Sequence, residues 1–459
     1  MERMSSLDAV FLAVEDPVNH MSIGSVALFE GPAVSFEAVQ RFVAAKIQFV
    51  PRCRQRVREA SGVLGRPVWI DDVGFDLDDH LRHQSLLDGR ASDLDGFVEA
   101  LMARPLDRRR ALWEMWLVDG LDDGRWAIVS KVHHCLVDGI AGTDLLAVVM
   151  DSQPDAELVA PASWEPSDEP STADFARFSA VSALRSAINH VRGAVVALRH
   201  PRRSWERVSG TVAGARRLWY RMRRGATSLT GPIGARPRWA HTSVHLDDVA
   251  TVRHAFGGTV NDVIVAATTR AFRDLLLARG EAVDDRTVTA LVPVSLRAPD
   301  EHGRLDNRVA DVHALLPVGI DDPVSTLRTV HDHLDDLKTS HEVDASGALL
   351  RIGDWAPRVI ADRVARAVLH RQRSVETVVT NVPGPRSPLY FCGRRMVEAY
   401  PYAPIAGHVR ITVAIWSYCT ILSFGVTGDR ETVVDLDRFV AGIDRGFTDL
   451  LNEATTVTR

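Results

Sequence analysis

Strand-like and helix-like segments alternate in two stretches of this chain. In the first stretch, Ser22–Phe29 and Trp126–His134 have strand character, and Ser35–Phe49 has apolar residues at helical spacing. In the second stretch, Asn261–Leu277 and Leu436–Glu453 are predicted helices. Further strands are predicted at Met115–Val118, Thr242–Leu246, Val288–Pro293, Val309–Leu316, Ser374–Thr380, His408–Ile415 and Ile421–Val426, and further helices at Gly96–Ala103, Gly142–Met150 and Pro323–Thr339. Such alternation predicts an α/β fold of two sandwich-like halves with a cleft between them.

A charged segment separates the two halves. Ser152–Pro170 is rich in Pro, Ser, Asp and Glu, which is typical of an exposed linker. Residues 177–238 contain 14 Arg and one acid, and two interpretations stay open: a helical hairpin with surface Arg, or an amphipathic segment attracted to anionic lipid headgroups. We predict an N-terminal domain at 1–155, a linker with the Arg-rich segment at 156–239, and a C-terminal domain at 240–459.

Composition excludes several classes of protein. The net charge is −6 and no nucleic-acid motif occurs, so we predict no nucleic-acid partner. The four cysteines are far apart, which argues against a disulfide framework or a zinc ribbon and favours a reducing compartment. The N-terminus has no signal-like apolar region, and no apolar run is long enough to span a bilayer. We therefore predict a cytoplasmic protein, with peripheral contact to the inner membrane or lipid droplets left open.

Residues 133–139 read His-His-Cys-Leu-Val-Asp-Gly and follow an apolar strand directly. Successive side chains of a strand face opposite ways, so only one of His133 and His134 can face the cleft. His134 is the better candidate because it is the last strand residue before the loop. A neutral imidazole there could take a proton from a hydroxyl and return it to a leaving thiolate.

The residues after the histidines admit more than one interpretation. Asp138 and Gly139 form a predicted tight turn, in which the Asp138 carboxylate orients the imidazole or pairs with an arginine. Arg297 is the candidate partner. An ordinary core histidine beside a turn is the simpler alternative. A zinc site built from His133, His134 and Asp138 is disfavoured by the strand alternation, so we predict no metal.

These residues resemble motifs of the bacterial wax ester synthase/diacylglycerol acyltransferase family, one of the HHxxxDG acyltransferases together with chloramphenicol acetyltransferase and peptide-synthetase condensation domains. The similarity extends over nearly the whole chain. It rests on His133–Gly139 and on further segments in the same order: Met4–Asp8 with Phe11, Leu112–Trp113 with Gly120–Leu121, Asn261–Ala266, Pro293–Arg297, and Thr380–Pro385 with Leu389–Tyr390.

The resemblance implies two chloramphenicol acetyltransferase-like domains with the active site at their interface. It implies that His134 is the base, that His133 flanks it, and that Asp138-Gly139 is a structural turn. Asn261 and Asp262 match the motif of the second half, where Asn261 caps a helix or shapes the cleft.

Two positions depart from the family pattern. Ala111 stands where the family has proline, which changes the rigidity of the turn rather than the chemistry. Cys135 stands where a small residue is usual, and a buried cysteine behaves as a small hydrophobe. Packing is thus the favoured role of Cys135, and a covalent role is the alternative.

We predict transfer of a fatty acyl group from acyl-CoA to diacylglycerol or a fatty alcohol, by direct attack and without a metal or redox cofactor. Ser295 and Asn261 are the candidate donors to the oxyanion, and Asp262 and Arg297 are candidates for shaping the site. Two alternatives stay open: an enzyme of the same type that acylates a polyketide, sugar or carrier-bound hydroxyl, and a lipid-binding module without activity.

Overall fold

Two six-stranded sheets form the framework of the protein. The computed structural model describes residues 1–59, 66–136, 149–178, 180–181, 227–295, 309–339 and 358–457. The first part of the chain forms β1 (Glu2–Arg3), α1 (Ser6–Val14), β2 (Ser22–Phe29), α2 (Phe36–Lys46), β3 (Gln55–Arg58), β4 (Val68–Asp71), β5 (Leu81–Ser85), α3 (Ala91–Met102), β6 (Trp113–Asp119) and β7 (Trp126–His133).

The second part begins after the charged segment. It forms β8 (Pro237–His245), α4 (Leu246–Phe256), α5 (Val260–Ala278), β9 (Val288–Ser295), β10 (Val309–Leu316), α6 (Pro323–Thr339), α7 (Arg358–Arg371), β11 (Thr377–Val382), β12 (Tyr390–Phe391), β13 (Arg394–Tyr402), β14 (Ile411–Tyr418), β15 (Ile421–Asp429) and α8 (Leu436–Val457). The predicted α/β class is therefore confirmed. The strand at 22–29, the strand at 309–316 and the helix at 323–339 have the predicted bounds.

The first sheet contains strands from both parts of the chain. Its strand order is β12-β13-β2-β7-β6-β5, and the order in the second sheet is β10-β9-β11-β14-β15-β8. Strand β13 pairs antiparallel with β2, with Tyr400 opposite Val26, although it comes from the C-terminal part. The sequence analysis did not predict β12 or β13. The C-terminal part thus completes the N-terminal sheet.

Strand β13 also packs against the second sheet and so joins the two sheets. Gly425 of β15 lies so close to the Pro401 carbonyl that any Cβ at this position would overlap it. The Tyr418 hydroxyl on β14 accepts a hydrogen bond from the Leu389 N–H and donates one to the Met396 carbonyl, both at 2.9 Å. The two sheets are therefore in direct contact through β13 and the segment just before it.

Each sheet has its own apolar core. In the second part, helix α8 packs closely on α5, where Gly446 lies against Ala267 with no space for a side chain. The predicted linker, Ser152–Pro170, has no helix or strand and is largely exposed. It runs beside the small sheet β1-β4-β3, where the Ser167 N–H donates to Asp71 Oδ2 at 3.1 Å.

Some predictions concern residues outside the described part of the chain. Residues 137–148, which include most of the predicted helix at 142–150, and residues 182–226 of the Arg-rich segment lie outside it. Among the residues that are described, every helix is too short or too polar to cross a bilayer.

Candidate functional site

The two adjacent histidines at the end of β7 lie in different environments. His133 is the last strand residue, stands opposite Ser22 of β2, and is fully buried. Its N–H donates to the Leu112 carbonyl at 3.0 Å. His134 is partly exposed, its N–H donates to the Met21 carbonyl at 2.7 Å, and its ring stacks on Phe11 with centroids 3.9 Å apart. Of the two histidines, His134 is therefore the more exposed.

The bonds of His133 determine its tautomer. The Cys135 N–H donates to His133 Nδ1 at 3.1 Å, so Nδ1 has no proton in this arrangement. The other nitrogen, Nε2, lies 3.4 Å from Glu15 Oε1, which is an acceptor. Both ring nitrogens thus face protein groups, and the ring is oriented from both sides.

Glu15 is a buried carboxylate that connects several segments. It follows the last residue of α1. Its Oε2 accepts hydrogen bonds from Arg108 Nε at 3.1 Å and Arg108 Nη2 at 2.8 Å, and its Oε1 accepts one from the Met21 N–H at 3.4 Å. Burial by itself would raise the pKa of Glu15, but the contact with His133 and the hydrogen bonds and charge of Arg108 outweigh it and lower the pKa to about 2. Glu15 is therefore ionised at neutral pH.

Lys131 is buried on the same strand, two residues before His133. Its ammonium group donates to the carbonyls of Leu101 and Arg104 at the C-terminal end of α3, where a positive charge is favourable. Burial lowers the pKa of Lys131 to about 8. The N-terminal side of the site thus contains several buried ionisable groups.

Cys135 packs in a small apolar cluster with residues of α1, β3 and β4. Burial raises the pKa of its thiol well above the ordinary range, so the group stays protonated at neutral pH. Because the thiolate is the nucleophilic form, this environment favours the packing role over the covalent one.

The second motif lies at the start of α5. Thr259 is the N-cap, and its hydroxyl accepts the Asp262 N–H at 3.2 Å while Asp262 Oδ2 accepts the Thr259 N–H at 2.7 Å. The same Oδ2 lies 2.8 Å from His331 Nδ1. The expectation that Asn261 caps this helix is wrong, because Asn261 is already inside the first turn and Thr259 holds the cap position.

Asn261 instead contacts Asn381, near the end of β11. Its Oδ1 accepts a hydrogen bond from Asn381 Nδ2 at 3.4 Å, which brings the Asn261–Ala266 and Thr380–Pro385 motifs together. The Gly384 N–H, in the second of these motifs, donates to Ser417 Oγ at 3.0 Å. Asn381 is a site residue that the sequence analysis did not select, although it lay in a motif that the analysis quoted.

The structure describes only one of the remaining predicted site residues. Asp138, Gly139 and Arg297 lie outside the described residues, so the proposed pairing of Asp138 with Arg297 stays a prediction. Ser295 is the last residue of β9, opposite Val309, and its backbone alone is described. Within the described ranges, no group of three or more His, Cys, Asp or Glu side chains could hold a metal ion.

The segment between α1 and β2 connects this site to the C-terminal part. Asn19 Oδ1 accepts the Gly407 N–H at 2.7 Å, and Asp16 Oδ2 lies 3.5 Å from His370 Nε2 on α7. Arg366, also on α7, donates to the Ala13 carbonyl at 2.5 Å. The segment that supports the two histidines therefore lies at the boundary between the two parts of the chain.

Comparison with known proteins identifies the family. Residues 4–264 match the model of the wax ester synthase/diacylglycerol acyltransferase catalytic domain, and residues 305–451 match the model of the C-terminal domain of the same proteins. The chain belongs to this family. It is an acyltransferase, as the sequence analysis predicted, and the predicted family is confirmed.

Relatives in the wax ester synthase/diacylglycerol acyltransferase family align over the whole chain. The probable diacylglycerol O-acyltransferase tgs1 of Mycobacterium tuberculosis is 37% identical over 451 residues, which cover 97% of this chain and 94% of the relative. The probable diacylglycerol O-acyltransferase tgs2 of the same organism is 31% identical over 458 residues, with coverages of 98% and 99%.

Two solved structures share the fold. The wax ester synthase/diacylglycerol acyltransferase from Marinobacter aquaeolei VT8 has a TM-score of 0.70 at 24% identity and covers 99% of this chain and 100% of its own. The first condensation domain of the calcium-dependent antibiotic synthetase has a TM-score of 0.60 at 16% identity, with coverages of 99% and 96%. The two-domain architecture implied by the resemblance is thus confirmed at the level of the fold.

Proposed function

We propose that this acyltransferase moves a long-chain fatty acyl group from acyl-CoA to the hydroxyl of diacylglycerol or a fatty alcohol, with His134 as the general base. The observation that carries the proposal is the contrast between the two histidines. His133 is buried with both ring nitrogens facing protein groups, whereas His134 is partly exposed and oriented by Met21 and Phe11.

In the proposed reaction, His134 removes the proton of the acceptor hydroxyl as its oxygen attacks the thioester carbonyl. The carbon–oxygen bond forms and the carbonyl oxygen becomes an oxyanion. Collapse of this intermediate breaks the carbon–sulfur bond, and the CoA thiolate takes the proton back from His134. The sum is one ester and one free thiol. Acyl-CoA acts as a co-substrate, and the step uses no covalent enzyme intermediate.

We assign the stabilisation of the oxyanion to the C-terminal side of the site. The contact with Asn381 engages the side-chain oxygen of Asn261. The NH2 group of Asn261 is therefore the group that donates to the oxyanion. Ser295 stays the second candidate donor, and Arg297 stays a candidate partner for Asp138, with Asp138-Gly139 as the structural turn. Asp262 supports the site through its capping box.

The relatives are named diacylglycerol O-acyltransferases, which supports a lipid acceptor. We also propose the division into 1–155, 156–239 and 240–459, in which the third part supplies β12 and β13 to the sheet of the first. In this proposal the Arg-rich segment attaches the enzyme to the anionic surface of the inner membrane or a lipid droplet, where both substrates are found.

A panel of acceptors tests this function. The purified enzyme is given palmitoyl-CoA with hexadecanol, with diacylglycerol, and with short polar alcohols, and release of CoA and formation of ester are both measured. We expect ester from one or both lipid acceptors and little from the polar alcohols. Faster turnover on anionic than on neutral vesicles is expected if the Arg-rich segment binds the surface. Selective acylation of a polar alcohol, or lipid binding with no turnover, would contradict the proposal.

A further inference from the structure

The pair formed by Glu15 and Arg108 lies behind the two histidines and has no part in the proposed proton transfer. The Glu15 side chain is 6% exposed and that of Arg108 is 35% exposed. Arg108 Nη2 also donates to the Leu12 carbonyl of α1 at 2.8 Å. Burial of a carboxylate costs free energy that its hydrogen bonds and ion pair must offset. The pair is therefore expected to have a role in the site.

Three supports of His134 lead back to this pair through one intermediate residue each. The residue before His134 is His133, whose Nε2 faces Glu15. The carbonyl that accepts the His134 N–H belongs to Met21, whose own N–H donates to Glu15. The ring that stacks on His134 belongs to Phe11, which precedes the Leu12 carbonyl held by Arg108.

The ion pair thus connects three segments, of which the third lies far later in the chain than the first two. These are the end of α1, the segment that leads into β2, and the strand end that carries the histidines. Arg108 comes from the segment just before Leu112, whose carbonyl accepts the His133 N–H. One carboxylate and one guanidinium therefore contact all three of these segments.

We propose that Glu15, held by Arg108, is a positioning residue for His134. This inference rests on the proposed role of His134. The carboxylate accepts from Met21 and faces His133 with one oxygen and accepts from Arg108 with the other, so that the backbone at His134 and its stacking partner keep one arrangement. Small displacements of a catalytic group cost large factors in rate, which is why such a residue affects turnover without touching substrate.

Glu15→Gln tests the proposal because it keeps the size of the side chain. Whichever way the new amide turns, its NH2 faces a donor: Arg108 on one side, or Met21 and His133 on the other. We expect kcat to fall about 10- to 100-fold while KM for both substrates changes less than about threefold, because binding surfaces are not altered. Glu15→Asp, which restores the charge, is expected to recover part of the lost kcat.

Glu59→Gln is the matched control. Glu59 also contacts Arg108, at 3.4 Å, but its side chain is 50% exposed and it contacts neither His133 nor Met21 among the hydrogen bonds and ion pairs described. We expect kcat within about twofold of the wild type, since loss of an exposed ion pair has little effect. An equal fall of kcat in Glu59→Gln and Glu15→Gln would overturn the specific role of Glu15.

Rates are expressed per folded enzyme, with folding checked by circular dichroism. If Glu15→Gln does not fold, Arg108→Lys tests the same contact, because the single nitrogen of a lysine cannot replace both Nε and Nη2 of Arg108, which reach Glu15 and Leu12. A lower kcat with unchanged KM is expected. Wild-type kcat in a folded Glu15→Gln or Arg108→Lys variant would overturn the inference. His134→Ala is measured in parallel: an active His134→Ala enzyme rejects the proposed base, whereas an inactive one beside a fully active Glu15→Gln enzyme rejects only the positioning role.

Discussion

The two motifs, one in each part of the chain, have different chemical surroundings. On the N-terminal side, His133 and His134 lie among ionisable groups: the Glu15–Arg108 ion pair and the buried ammonium of Lys131. In the C-terminal part, the buried carboxylate of Asp262 accepts the Thr259 N–H and contacts His331. Asn261 accepts a hydrogen bond from a neutral amide, that of Asn381.

This difference indicates a division of roles. Proton transfer needs a titratable group whose orientation and tautomer are controlled, which the N-terminal side supplies. An oxyanion needs fixed donors that do not lose a proton, which a neutral amide supplies. The two motifs look equivalent in the sequence, but in the structure they differ in what they can do with a proton.

Alanine substitution of one residue in each motif, His134 and Asn261, is expected to have the largest effects on kcat. We expect His134→Ala to lower kcat by about 10³-fold or more, within the range for loss of a general base. We expect Asn261→Ala to lower kcat by about 10²-fold, as for loss of one oxyanion donor. Steady-state kinetics at saturating palmitoyl-CoA measures both. Turnover above one tenth of the wild-type rate in His134→Ala, with the protein shown to be pure and folded, would break the contrast.

Asp262 should affect stability more than turnover. Asp262→Ala removes the acceptor of the Thr259 N–H and of His331, and we expect the free energy of unfolding to fall by about 1–3 kcal/mol. Urea denaturation measures it, and kcat per folded enzyme should change only a few-fold. The matched control is His331→Ala, which leaves the capping box intact and, at a partly exposed pair, should cost less than about 1 kcal/mol. A large loss of kcat without loss of stability would instead assign Asp262 to the chemistry.

The lowered pKa of Lys131 predicts how the free energy of unfolding depends on pH. The folded pKa of about 8 lies below the unfolded value, so between these values the unfolded chain binds more protons and the wild type becomes more stable as pH rises. Relative to Lys131→Met, the wild-type free energy of unfolding should increase by about 1–2 kcal/mol from pH 7 to pH 9.5. Urea denaturation of both proteins at both pH values tests this. A difference that is the same at both pH values would contradict it.

Local patterns predicted most elements and missed those that depend on distant partners. Ser22–Phe29 ends in an apolar run and is followed by the Gly31-Pro32 turn, so its bounds were predictable. Strand β13 was missed because its partner β2 lies far earlier in the chain. Helix α4 was missed because it follows β8 without a break and buries only Val249 and Val252, which is a weak helical pattern.

The site was predictable only where a motif is continuous. His133, His134, Asn261 and Asp262 all lie in short strings whose residue types suggest chemistry. Glu15 and Arg108 lie outside those strings and are 93 positions apart, so no local pattern pairs them. Asn381 became a candidate site residue only because the end of β11 lies beside the start of α5 in the structure.

The sequence by itself determined that a strand ends at two adjacent histidines, although it ends at His133 and not at His134 as predicted. Neighbouring side chains of an extended backbone point to opposite faces. Tertiary structure decided which of the two histidines is buried. Glu15 and Leu112 contact His133 from other segments, and Cys135 contacts it from beyond the strand end. A local pattern sets the relative orientation of neighbouring side chains, whereas their burial depends on which distant segments pack on each face.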